Sequence, residues 1–199
     1  MTRSKKRWTA LGLVLLGVVG LGFAAIVANR ADQSSPVSAA IEPPPPPALR
    51  AMTWHVPPRP LPALAFQDQD GKTLTLDDFA GRYRLINLWA TWCLPCLQEL
   101  PALDRLQEHA GGAGFVVLAL SQDRVAIDRV ARFWTESGMR HLTLYLDPKL
   151  GAGRVLAARG LPTTILVDPA GLELARIEGP LEWDDRAIVD YFAALAGPG

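Results

Sequence analysis

Cysteine is scarce in this sequence: its 199 residues include only two, Cys93 and Cys96. So few cysteines exclude the multi-bridge framework that stabilises many small secreted domains. An excess of charge of either sign is also missing, since 20 Lys and Arg balance 20 Asp and Glu, and this balance gives no reason to expect nucleic acid as a partner. Histidine is rare too, and the wide separation of His55, His109 and His141 predicts surface residues rather than metal ligands.

The N-terminal segment has the pattern of a membrane anchor. Four basic residues within residues 1–7 precede an uncharged run at residues 8–28. As a helix rising ~1.5 Å per residue, this run spans about the ~30 Å hydrocarbon core of a bilayer. A cleaved signal peptide is the alternative, but the run exceeds the usual apolar region of roughly 7 to 15 residues, and no clean A-x-A site follows it. We predict a cytoplasmic tail at residues 1–7 and a transmembrane helix at residues 8–28, with everything after it exported by the positive-inside rule.

Residues 29–60 are rich in Pro, Ala and Ser, and they show no apolar periodicity that could build a core. Five consecutive prolines at positions 43–47 favour extended polyproline II. We therefore predict a partly stiff linker over residues 29–60, which holds a folded domain at residues 61–199 away from the bilayer.

The folded domain alternates between strand and helix patterns. Short apolar runs predict strands at 61–66, 73–76, 84–90, 115–121, 142–146, 163–168 and 172–177, of which the first two form a hairpin. Helical spacing predicts helices after Cys93 and at 123–137, 149–158 and 184–195. This alternation indicates an α/β fold in which helices cover both faces of a mixed central sheet.

The two cysteines form a Cys-x-x-Cys motif, Cys93-Leu94-Pro95-Cys96, where a buried strand gives way to a helix. Unpaired N–H groups at the helix start favour a thiolate at Cys93, which is the attacking species in disulfide exchange. Cys96 lies one turn further along as the resolving thiol. A structural disulfide closing so small a loop would remove little chain entropy, and two cysteines without a nearby histidine do not complete a zinc site. The motif therefore predicts redox chemistry.

Two segments, LINLWATWCLPCLQELP and RGLPTTILVDPAG, resemble the TlpA and ResA group of membrane-anchored protein disulfide reductases. The resemblance runs from the anchor to the last helix. It implies a thioredoxin-like fold with a strand and helix inserted at residues 123–146, no cofactor, and a place on the periplasmic side of a bacterial inner membrane. It also implies that Pro162 is cis beside the cysteines and that the backbone of Leu161 pairs with an extended client segment, a mode in which main-chain hydrogen bonds accept many sequences.

Glu99 lies three residues after Cys96, which makes their side chains neighbours on a helix. ResA-like proteins have a functional glutamate at this offset, where a carboxylate raises the pKa of a buried thiol or takes up its proton. A solvated glutamate near a helix start is the alternative. Thioredoxin has a buried aspartate where this chain has Asn87, and an amide does not shuttle protons. Trp92 is predicted to contact clients, whereas Trp89 either shields the cysteines or fills the core.

The resemblance favours a reductase that keeps cysteines of exported metalloprotein precursors reduced, either cytochrome oxidase copper-site factors or apocytochrome c. Such a reductase implies a membrane electron donor of the DsbD or CcdA type. A general disulfide oxidant is one alternative, although Leu94 and Pro95 add no positive charge to hold a thiolate. A Sco-like copper chaperone is the other, but such proteins need more widely spaced cysteines and a histidine ligand, and no histidine follows His141.

Overall fold

Eight strands form one mixed sheet in the computed structural model, which describes residues 43–124 and 127–197. In chain order the strands are β1 Thr53–Pro60, β2 Ala65–Asp68, β3 Thr73–Thr75, β4 Tyr83–Trp89, β5 Phe115–Ser121, β6 Thr143–Leu146, β7 Thr163–Val167 and β8 Leu172–Glu178. The helices are α1 Leu94–Ala110, α2 Ile127–Glu136, α3 Ala152–Val155 and α4 Arg186–Ala196. The predicted tail, transmembrane helix and first part of the linker lie outside the described residues. Within the described ranges, no helix has both the length and the apolar character needed to cross a membrane.

The strand order in the sheet is β1-β8-β7-β4-β5-β6-β2-β3, which places β4 near the middle. β4 pairs in parallel with β5, and β5 pairs in parallel with β6. The other neighbouring pairs are antiparallel, including β4 with β7 and the β2–β3 hairpin. Parallel neighbours need a crossover connection, and α1 and α2 lie in the two crossovers. The predicted mixed α/β sheet is confirmed.

Hydrophobic side chains fill both faces of the sheet. One cluster packs α1, α2 and α4 against it, with Leu103 and Phe192 fully buried. The second lies beneath α3 and the 3-10 turn Leu76–Phe79. β4 contributes Leu85 to the first cluster and Ile86 to the second. Burial on both faces explains why β4 has an almost continuous apolar sequence.

The predicted linker ends too late, because residues 53–60 form the edge strand β1, which pairs with β8. Leu49 and Met52, just before it, belong to the first hydrophobic cluster. Three prolines in β1 hide the strand pattern, since proline lacks the N–H that a central strand donates. An edge strand tolerates them, and its register with β8 shifts between Trp54 and Arg59, around the cis Val56–Pro57 bond.

The prediction that His55 lies at the surface is also wrong, because His55 belongs to the missed strand β1. His55 lies in β1, only 5% exposed, and its Nε2 is 2.8 Å from Glu173 Oε1. Glu173 also accepts hydrogen bonds from Arg176, and these contacts hold the pKa of its carboxyl below the ordinary value although burial alone would raise it. His109 and His141 are exposed as predicted.

Two helices are shorter than their sequence patterns predict. Residue 123 lies outside α2, whose described part starts at Ile127, because Asp123 uses its carboxylate to bind Thr91 and Ser121. α3 covers only Ala152–Val155, and Ala157 beyond it has a positive φ of 53°, which ends a right-handed helix. The other predicted elements lie within a few residues of the observed ones.

Candidate active site

Cys93 and Cys96 form a disulfide where the chain passes from β4 into α1, with 5.3 Å between their Cα atoms. Cys93 is the N-cap residue of α1, and its Sγ accepts a hydrogen bond from the Cys96 backbone N–H at 3.3 Å. Cys93 is 6% exposed and Cys96 is fully buried. Of the two residues, Cys93 therefore has the larger exposed fraction, and its role as the attacking thiol stays a prediction.

Two large apolar side chains flank Cys93 at the surface. Trp92 is 69% exposed and Leu94 is 66% exposed. Exposed hydrophobic residues beside a reactive group are typical of interaction surfaces. Leu94 lies on the same exposed rim as Trp92, and contact of Trp92 with clients stays a prediction.

The loop before the cysteines is fixed by Asp123, which sequence reasoning assigned only to a helix start. Asp123 accepts hydrogen bonds from the Thr91 backbone N–H at 3.0 Å and from the Thr91 hydroxyl at 2.6 Å. It also accepts one from the Ser121 hydroxyl at 2.8 Å. This contact joins the end of β5 to the residue before Trp92, and an aspartate directly after a buried strand was the available signal.

Pro162 precedes β7, and the Leu161–Pro162 peptide bond is cis, as the resemblance implies. Thr163 pairs with Leu88 in the antiparallel register, so the cis bond lies beside the C-terminal end of β4, from which the cysteine loop departs. Pro162 is buried and Leu161 is half-buried. The Pro162 carbonyl accepts a hydrogen bond from Gly179 N–H at 2.9 Å. Recognition of clients by the Leu161 backbone stays a prediction.

Glu99 is buried rather than solvated, with 3% of its surface exposed. Its Oε1 accepts a hydrogen bond from Asn87 Nδ2 at 2.8 Å. Its Oε2 accepts from Leu181 N–H at 3.2 Å and from Trp183 Nε1–H at 3.1 Å. Burial raises the pKa of the Glu99 carboxyl from 4.5 to about 7, and the three hydrogen bonds oppose this rise only in part. Within residues 43–124 and 127–197, no cation forms an ion pair with it.

Asn87 and Trp183 complete the surroundings of Glu99, and both are fully buried. Besides its bond to Glu99, Asn87 Nδ2 donates to the Thr164 hydroxyl at 2.9 Å. Trp183 follows β8 and is distant from Glu99 in sequence, so no local pattern could have identified it. The site therefore unites α1, β4, β7 and the segment before α4.

Trp89 fills the core and does not form the surface of the site. It is fully buried, and its ring lies 6.0 Å from Phe133 and 5.4 Å from Trp134, both on α2. The inserted helix thus supports the last residue of the strand that leads to the cysteines. Among the described residues, no group of three His, Cys, Asp or Glu side chains is arranged to hold a metal ion.

Comparison with known proteins agrees with this geometry. Residues 58–193 match the Redoxin family. The chain is 34% identical to the thiol:disulfide interchange protein HelX of Rhodobacter capsulatus over 173 residues, covering 86% of each chain. It is 28% identical to the thiol-disulfide oxidoreductase ResA of Bacillus subtilis, covering 69% of this chain and 74% of ResA.

Among solved structures, a thiol:disulfide interchange protein DsbE from Chlorobium tepidum superimposes with a TM-score of 0.62 at 27% identity. The match covers 70% of this chain and 97% of the other. The common part therefore includes nearly the whole length of the DsbE structure.

Proposed function

The chain belongs to the Redoxin family as a TlpA/ResA-like thiol:disulfide oxidoreductase of thioredoxin fold, and we propose that it reduces cysteines in exported metalloprotein precursors. The Cys93–Cys96 pair is the redox centre. The observation that carries the proposed direction is the buried Glu99 carboxyl, one helical turn after Cys96 and without a cationic partner in the described part of the chain.

Electrostatics around the thiols favour donation of electrons. A strong disulfide oxidant stabilises its reduced form, in which the attacking cysteine is a thiolate of low pKa. A carboxylate near a thiol has the opposite effect, because it disfavours a second negative charge and raises the thiol pKa. Leu94 and Pro95 between the cysteines carry no charge. The reduced state therefore gains little stabilisation from thiolate formation, which supports a reductant.

The proposed reaction transfers two electrons to the client. Cys93 thiolate attacks one sulfur of a client disulfide, which forms a mixed disulfide and releases the other client sulfur as a thiolate. Cys96 then attacks Cys93 Sγ, which releases the second client thiolate and forms the Cys93–Cys96 disulfide. A membrane electron donor of the DsbD or CcdA type would reduce this disulfide again.

The client would bind across the rim that carries Trp92 and Leu94. Both side chains offer apolar contact beside Cys93, and the backbone before Pro162 would pair with an extended client segment. Main-chain pairing accepts many sequences, so this surface suits a protein that reduces more than one precursor.

The proposed location is the periplasmic face of a bacterial inner membrane, with residues 8–28 as a single-pass anchor. The apolar run and the preceding basic residues support it. A tether near the bilayer raises the effective concentration toward membrane-bound clients. Copper-site and apocytochrome precursors both qualify as clients, because metal binding and thioether formation require reduced cysteines.

The reduction potential tests the proposed direction. The full-length protein is equilibrated with thiol and disulfide buffers. The midpoint reduction potential of its cysteine pair should be closer to that of thioredoxin, about −270 mV, than to that of the oxidant DsbA, about −120 mV. A midpoint near the oxidant value would contradict a reductase. Metal analysis of the purified protein provides a second check, since stoichiometric copper would favour the chaperone alternative.

A deletion strain tests the client class. Because the motifs resemble TlpA more closely than the cytochrome c maturation branch, we expect loss of cytochrome oxidase activity that added copper restores. Covalent heme staining of c-type cytochromes should persist in the same strain. Loss of that staining would assign the protein to apocytochrome c instead.

A further inference from the structure

Glu99 is held by three groups that reach it from two other parts of the fold. Asn87 projects from β4, while Leu181 and Trp183 belong to the segment between β8 and α4. All three donate hydrogen bonds to its carboxylate oxygens. Because α1 carries both Glu99 and Cys96, these donors fix the carboxyl relative to the resolving thiol.

We propose that Asn87 and Trp183 are positioning residues, which hold Glu99 against Cys96 and set the pH at which it accepts that thiol's proton. The inference rests on the proposed reductase function. In the resolving step, the proton of Cys96 Sγ–H passes to the Glu99 carboxylate, and the resulting thiolate attacks Cys93 Sγ of the mixed disulfide. The Cys93–Cys96 bond forms, the client thiolate departs, and the Glu99 proton then passes to that thiolate.

Asn87 is suited to both protonation states of Glu99. Its Oδ1 is buried and has no hydrogen-bond partner among the described residues, so a half-turn of the amide would exchange one unpartnered acceptor for an unpartnered Nδ2 and keep the number of side-chain bonds to Glu99 and Thr164. With Nδ2 toward Glu99, the amide donates to a carboxylate. With Oδ1 turned toward Glu99, it accepts from a carboxylic acid, and the Thr164 hydroxyl can donate where it previously accepted. An aspartate at this position would instead place a second acid beside the first.

Trp183 favours only the charged state of Glu99, because an indole N–H donates a hydrogen bond and never accepts one. Its fully buried ring fixes the direction of that donor.

On α1, Cys96 lies one turn before Glu99 and titrates only when the disulfide is reduced. On β4, the charged Arg84 lies on the opposite face from Asn87, since the two positions differ by an odd number.

The acidic residues beside Trp183 do not face Glu99. Glu182 and Asp184 are exposed, and Asp184 pairs at the surface with Arg105 of α1 at 2.8 Å. Burial is the largest cause of the raised Glu99 pKa, and the named hydrogen bonds account for the opposing contributions. Loss of one donor should therefore move the titration of Glu99 further upward.

The test compares Trp183→Phe with Trp134→Phe, a matched loss of indole within the same hydrophobic cluster. Insulin reduction is measured against pH in the full-length protein, and carboxyl carbon NMR follows Glu99 in the oxidised state. We expect Trp183→Phe to shift both the acid limb of the rate profile and the carboxyl midpoint upward by about one pH unit, from the usual strength of a hydrogen bond to a charged group. Trp134→Phe should leave both midpoints unchanged, and Glu99→Gln should lack that limb.

Asn87→Leu supplies an independent variant if Trp183→Phe does not fold, and it should shift the same midpoints in the same direction. Unshifted midpoints in folded Trp183→Phe or Asn87→Leu, with or without a uniform loss of rate, would overturn the positioning role. An inactive wild type would overturn the proposed reductase function instead, and the carboxyl titration would still decide whether the two residues set the protonation of Glu99.

Discussion

Replacing Glu99 by glutamine should stabilise the oxidised protein at alkaline pH and progressively less as the pH falls. The folded-state pKa of Glu99 is raised, so between pH 4.5 and about 7 the folded protein holds a proton that the unfolded chain has released. Stability of the wild type therefore declines as the pH rises through this window and then becomes constant. A glutamine has no such titration, and the Asn87 amide can turn to accept from its Nε2.

The size of the effect follows from the two pKa values. The difference between about 7 and 4.5 is 2.5 pH units, and at ~1.36 kcal/mol per unit this corresponds to about 3 kcal/mol. Because Glu99 is only 3% exposed, solvent screening does not reduce this figure substantially. The stability of Glu99→Gln relative to wild type should thus rise by about 3 kcal/mol between pH 4 and pH 8.

Urea unfolding at intervals from pH 4 to pH 8 measures this difference, with the disulfide kept intact. Glu136→Gln is the control, because Glu136 is an exposed glutamate of α2 that forms no ion pair among the described residues. Its stability difference from wild type should change little with pH. A Glu99→Gln difference that is the same at pH 4 and pH 8 would refute the reasoning, since it would mean that Glu99 titrates alike in both states.

Three further predictions concern the cysteines, the rim and the domain boundary. Cys96→Ala should trap a mixed disulfide with client, which non-reducing gels detect, whereas Cys93→Ala should be inactive and form no adduct. Adducts on Cys93→Ala would show that the roles of the two cysteines are reversed. Trp92→Ala should slow reduction of a protein client but not of a small disulfide, with stability within about 0.5 kcal/mol of wild type, and equal slowing of both would remove the contact role. A chain starting at residue 61 should unfold at lower urea than one starting at residue 43, because it lacks β1, Leu49 and Met52, two buried side chains worth ~1.5–3 kcal/mol each; equal midpoints would show that β1 contributes nothing.

Local patterns were sufficient for the centre of the fold. β5 has the predicted limits, and β4 and β7 differ from prediction by a residue or so at their ends, because strands buried on both faces have continuous apolar sequences. Helical spacing alone predicted that Glu99 follows Cys96 by one turn, and both residues lie in α1. Sequence spacing therefore predicts which residues are neighbours when they lie within one turn of the same helix.

Long-range partners could not be predicted in this way. The donors from Trp183 and Leu181 reach Glu99 only because the segment after β8 passes over α1, and no periodicity marks such a contact. Asp123 binds across two strand ends, although its sequence position suggested a helix start. β1 was missed because its three prolines are typical of a linker and only His55 of its eight residues is buried, and the burial of His55 was missed with it.

The polar network around Glu99 does not by itself require an acid. A glutamine could accept from Leu181 and Trp183 with its Oε1 and donate to the turned amide of Asn87, which keeps three hydrogen bonds at position 99 and buries no charge. The carboxyl instead lowers stability above its pKa, and no cation among the described residues offsets that cost. A buried group that is destabilising in one protonation state and replaceable by a neutral isostere is useful only if its protonation changes. Because the resolving thiol lies one turn away on the same helix, the thiol's proton is the one this carboxyl is placed to accept.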